Sequence, residues 1–163
     1  MLRNSKQRLA HICILVRDID QAIKHYTNIL AAVSPHYLRE RVSKEEHLAG
    51  KDRYVTAFFR SGGEGCDLQL LQPLNQDSPL YQRLQKVGEG VHHFAFTTSN
   101  LEGTFQELKE KRISLHGDEF ICSAENPRIR WMWILPSSAH GALIEVMDDY
   151  SAERPSSPTA PEE

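Results

Sequence analysis

Cysteine is scarce in this chain and never paired. Cys13, Cys66 and Cys122 lie singly in strand-like segments with no CxxC among them. An odd, scattered count excludes a disulfide framework and suits reduced thiols packed as small hydrophobes. No apolar run approaches the ~20 residues needed to cross a bilayer. The start, MLRNSKQRLAH, carries basic residues but lacks the apolar core of a secretory signal. Both features point to a cytoplasmic protein without a membrane partner. A strong excess of either charge is missing too: Lys and Arg total 19, Asp and Glu 22, for a net charge of −3. Nothing there marks a nucleic-acid partner. What is present is an ordinary globular composition, 40% hydrophobic and 25% charged over 163 residues. That length suits one domain, or two small halves fused around a shared core.

Residues 9–16 (LAHICILV) have the length and β-branched content of a strand. Asp18 then caps a helix, DIDQAIKHYTNIL, whose Ile19, Ala22, Ile23 and Tyr26 form one apolar stripe. Residues 36–42 (HYLRERV) read as a strand with Tyr37, Arg39 and Arg41 on one face, and 43–52 (SKEEHLAGKD) as a polar loop. RYVTAFFR and CDLQLLQP are two strands joined through SGGEG. Ser78 caps a second helix with Pro79 at its first position.

The first pattern then repeats. HFAFTTSNLEGTFQELKEKR from His93 parallels HICILVRDIDQAIKHYTNIL from His11 at a constant offset, matching Asp18 with Asn100 and Ile23 with Phe105. Strand-like SLHGDEFIC, RIRWMWILP and GALIEVMD follow. Both halves therefore read β-α-β-β-β, which argues for an internal duplication. The domain plan is an N-terminal extension (1–8), a first βαβββ module (9–75), a linker helix (76–90), a second module (91–149) and a disordered Pro/Ser/Glu-rich tail (150–163). The fold class is α+β.

Equivalent positions of a duplicated chain lie around a pseudo-twofold axis. His11 and His93 form one such pair; Gln69 in LQLL and Glu145 in LIEV form another. Burying an unpaired amide or carboxylate costs several kcal/mol, and four such intrusions need a joint partner. A divalent cation (Zn, Co, Ni, Fe or Mn) suits two imidazoles, a carboxylate and an amide oxygen. Adjacent strand residues point to opposite faces, so His92 is expected to face away from His93 in a structural role. His25, His36, His47, His116 and His140 are placed on helices or loops without a special role. Trp131 and Trp133 share one face, as core, subunit-interface or pocket wall.

These segments resemble the vicinal oxygen chelate superfamily of glyoxalase I, extradiol dioxygenases and bleomycin-resistance proteins. The middle block, PLNQDSPL running into GEGVHHFAF, resembles its methylmalonyl-CoA epimerase branch. The resemblance implies paired βαβββ units cupped around a metal held by His11, Gln69, His93 and Glu145. It implies enolisation of an acyl-CoA or similar carbonyl compound, with Glu145 also exchanging protons, no organic cofactor, and a homodimer. The position matching the family's other base is Thr56, a neutral residue. Where the family carries lysines this chain has Ser137 and His140, and Arg128 and Arg130 are the alternative substrate-binding residues. A glyoxalase-like lactoylglutathione lyase and a metal-free small-molecule binding protein are the competing expectations.

Overall fold

Each half of the chain opens with an apolar strand that runs directly into a capped helix, and the two halves join edge to edge in one sheet. The computed structural model describes residues 8–148; the expected tail and nearly all of the N-terminal extension lie outside them. In the first half β1 (Arg8–Leu15) leads to α1 (Ile19–Val33), β2 (Lys44–Ala49), β3 (Asp52–Phe59) and β4 (Asp67–Pro73). Helix α2 (Pro79–Val87) connects to β5 (Gly90–Thr98), α3 (Leu101–Glu110), β6 (Ile121–Cys122), β7 (Arg130–Ile134) and β8 (Ile144–Asp148).

The caps work as their residue types demand. Asp18, Ser78 and Asn100 each accept a hydrogen bond from the backbone N–H three residues on, at 3.0, 3.0 and 2.9 Å. The eight strands form one sheet in the order β2-β3-β4-β1-β5-β8-β7-β6. Strands β1 and β5 pair antiparallel at its centre, β1 with β4 and β5 with β8 parallel. Reversing the first half's order reproduces the second's, the signature of a duplicated α+β module.

Three apolar clusters hold the layers. Leu30 of α1 packs with Phe59 and Leu70; Leu101 and Phe105 of α3 pack with Met132; Leu84 of α2 packs with Cys13, Leu15 and Leu71. Each of the larger side chains contributes roughly 1.5–3 kcal/mol by burial.

Three local expectations are corrected. Residues 36–42 are not a strand: Pro35–Leu38 form a 3-10 turn, anchored where the Tyr37 hydroxyl donates to the Cys66 carbonyl at 2.5 Å. Proline at the first turn position starts this helix. The polar stretch 43–52 is not all loop, because Lys44–Ala49 is the edge strand β2. Edge strands tolerate charge. In the second half the expected strand over 114–122 shrinks to Ile121–Cys122 plus a single bridge from Leu115 to Ile134.

Candidate metal centre and its cavity

Two β-bulges aim the histidines. Along β1 and β5, Leu9 faces Phe96 and His11 faces Ala95, so Ala10 is the extra residue on β1. Cys13 faces His93 and Ile14 faces Val91, so His92 is the extra residue on β5. A bulge breaks the alternation of faces and re-aims the side chains beside it. Each half thus places a bulged residue immediately before its histidine, alanine in one case and histidine in the other.

The expectation that His92 faces away from His93 is therefore overturned. Both are buried, and their Nδ1 atoms lie 2.8 Å apart in a hydrogen bond. Burial, then the neighbouring His93, pushes the His92 imidazole down to about 3, so it stays neutral and able to accept. With the His93 proton on Nδ1 donated to His92, the His93 Nε2 lone pair is free to face the site.

That Nε2 lies 3.2 Å from His11 Nε2, and each nitrogen lies 3.2 Å from Glu145 Oε2. Ligand atoms bonded at 2.0–2.1 Å to one cation stand about 3.0–3.4 Å apart in octahedral or tetrahedral sets. The triangle has that size. Burial alone would raise the Glu145 carboxyl, yet the neighbouring His11 and His93 imidazoles hold it well below the usual range. The fourth expected ligand, Gln69, supplies a decisive detail: its Oε1 is buried with no hydrogen-bond partner. A buried amide oxygen without a partner costs about 1–3 kcal/mol, and a cation would relieve that cost. The donor set, oxygen and imidazole in equal parts, fits a divalent metal. The Cys13 sulfur lies within 4.8 Å of ring nitrogens of His92 and His93. Burial, then the Glu145 charge, pushes its thiol well up, so it is a neutral packing group.

These four residues line one cavity of about 700 Å³. Trp131 and Trp133 form part of its wall, the latter edge-on to His93 at 4.9 Å. Arg8, Lys51 and Arg60 line it as cations, with Arg60 held by Asp67 at 2.9 Å. Thr56 lines it from β3. Arg128, Arg130, Ser137 and His140 do not; Arg130 reaches Asp148 at 2.9 Å and pairs with Glu102. His47, expected on a loop without a role, sits on β2, lines the cavity and contacts Thr56 at 3.0 Å.

The family model described as the Glyoxalase/Bleomycin resistance protein/Dioxygenase superfamily matches residues 10–125. The chain belongs to this superfamily. Its match ends before β8, so Glu145 joins the site on geometry. Among members of the superfamily, the mitochondrial methylmalonyl-CoA epimerase of Homo sapiens is 31% identical, over 85% of this chain and 72% of that protein. An uncharacterized Bacillus subtilis protein, YqjC, is also 31% identical, over 86% of this chain and 91% of its own length. A variant of Streptomyces coelicolor methylmalonyl-CoA epimerase, solved with 2-nitronate-propionyl-CoA, superposes with a TM-score of 0.69 at 26% identity. The match covers 93% of this chain and all of that one. No helix among the described residues is long and apolar enough to cross a membrane.

Proposed function

We propose that this chain is a divalent-metal-dependent epimerase that enolises a methylmalonyl-CoA-like acyl-CoA. Its kinship with the epimerases makes it an enzyme of the isomerase class. The observation that carries the finer reading is the unpartnered Gln69 oxygen in the cavity that also holds the His11–His93–Glu145 triangle. A protein that only sequestered a small molecule would be more stable with leucine at this position. His11, Gln69, His93 and Glu145 would hold the metal. When bound, it supplies Lewis-acid stabilisation of the negative charge that develops on a thioester oxygen.

The chain's own residues do the rest. His92 locks the orientation and tautomer of His93 through their 2.8 Å contact. Glu145, kept ionised by the two imidazoles, takes or returns a proton on one face of the α-carbon. Trp131, Trp133, Phe58 and Leu71 line the cavity and exclude water. A volume of about 700 Å³ holds an acyl group and leaves the nucleotide end of coenzyme A outside. Support for an acyl-CoA comes from the ligand in the Streptomyces structure.

The test is to incubate methylmalonyl-CoA with the protein in D2O and follow deuterium at the α-carbon. Uptake that is catalysed by the protein and abolished by a chelator is expected. No exchange above the uncatalysed background sinks the reading.

A further inference from the structure

Epimerisation needs proton transfer on both faces of a planar enolate, and Glu145 serves only one. Opposite it in the sheet order, at the β2–β3 edge of the other half, the equivalent base position is Thr56, a group too weakly acidic to work alone. The structure joins Thr56 to two partners that the sequence does not place beside it. His47 Nε2 lies 3.0 Å from Thr56 Oγ1. His47 Nδ1 lies 3.6 Å from a carboxylate oxygen of Glu125, which the β6–β7 connection brings across from the second half. All three line the same cavity as the His11–His93–Glu145 triangle, and none of them is a ligand in it. The Tyr54 ring lies tilted against the His47 ring, centroids 5.3 Å apart.

We infer that Glu125, His47 and Thr56 form a proton relay serving the substrate face away from Glu145. The inference rests on the epimerase reading above. A hydroxyl, an imidazole and a carboxylate in line are a general arrangement for moving a proton through a weak acid. In the step, the α-carbon–hydrogen bond breaks and its electron pair stays with the enolate. The proton goes to Thr56 Oγ1 as the hydroxyl's own proton passes to His47 Nε2. The imidazolium so formed is paired with Glu125. In this direction Glu145 enters carrying a proton from solvent, gives it to the opposite face of the enolate and is left as the carboxylate. In the other direction the ionised Glu145 takes the α-proton and a relay entering with His47 protonated returns one through Thr56, and solvent restores both groups between turnovers. No redox partner is needed. The side chain of Glu125 is 58% exposed, so its contribution is a few-fold at most; that of His47 is the large one.

One other acid competes. Glu45 faces Thr56 across β2 and β3 and also lines the cavity, but its carboxylate is exposed, whereas His47 is partly buried against the hydroxyl. Glu46 is turned away and paired with Arg53 at 3.0 Å.

The experiment uses the full-length, metal-loaded chain and the two epimers of methylmalonyl-CoA separately in D2O, reading deuterium uptake with and without inversion. For the wild type, both epimers exchange and interconvert. In His47→Gln, interconversion falls about 10²–10⁴-fold, while the epimer whose α-proton faces Glu145 still exchanges with retention. Thr56→Val, a near-isosteric loss of the hydroxyl, gives the same one-sided pattern and provides an independent variant where His47→Gln folds poorly. Equal loss of exchange for both epimers in each variant overturns the relay and leaves these residues a structural role. A one-sided loss in Glu45→Gln, with His47→Gln unchanged, also overturns it. A wild type that exchanges neither epimer sinks the epimerase reading itself, which is a different result.

Discussion

Gln69 is the residue at which stability and function pull in opposite directions. Its buried amide oxygen has no partner, at a cost of about 1–3 kcal/mol. Gln69→Leu is therefore expected to raise the thermal midpoint of the metal-free protein by about 2–4 °C per kcal/mol recovered, while weakening its affinity for Zn or Co. Calorimetry of the metal-free protein and metal titration check the two halves of that statement; a variant that loses stability contradicts it. His92 makes the complementary case. Because it orients His93 without touching the site, His92→Phe is expected to lower metal affinity about 10–100-fold with the fold intact by circular dichroism. Unchanged affinity would return His92 to a packing role. The four candidate ligands were legible as a group in the sequence because two histidines and two polar residues interrupt apolar runs at matched positions of a repeat. His92 was not, since a period of two assigns it to the far face and one inserted residue on β5 cancels that period.

Elements tell a similar story about what local pattern reveals. Helices α1, α2 and α3 start where their caps predict. Gly103 shows how closely a cap can be bound to its helix: a Cβ there would lie 2.4 Å from the Asn100 amide nitrogen and 2.9 Å from its Cγ. Alanine at position 103 gains up to about 1 kcal/mol of helix propensity, but it expels a cap of about the same worth and adds the clash. Gly103→Ala is thus expected to destabilise the wild type, yet to stabilise an Asn100→Ala background. A double-mutant cycle by urea unfolding measures this reversal of sign; additive effects would contradict it. Strand β2 was hidden by its charges. KEEHLA reads as loop because it opens with three exposed charges, Lys44, Glu45 and Glu46, while pairing to β3 is backbone work that an edge strand can do with polar side chains. Misreading β2 also concealed His47, whose position beside Thr56 follows only from the β2–β3 register.

At the scale of the whole molecule the duplication sets the site's logic. His11 and Gln69 come from the first half, His93 and Glu145 from the second, and the central β1–β5 pair carries one histidine from each. A metal held by all four ties the halves together and binds only the folded chain. Zinc or cobalt at about 100 times its dissociation constant is expected to add about 2.7 kcal/mol of stability, visible as a higher midpoint of one cooperative transition that a chelator lowers. Two separate transitions, with metal moving only one, would contradict the shared site. The sequence showed the repeat and the residue types; the closure of the cup, in which Glu125 reaches His47 at 3.6 Å, is a tertiary contact that no periodicity encodes. The most direct test of the central claim is elemental analysis of the full chain purified without chelators. One divalent ion per chain is expected in the wild type and none in His11→Ala or His93→Ala. A wild type free of metal that still interconverts the epimers of methylmalonyl-CoA would contradict it.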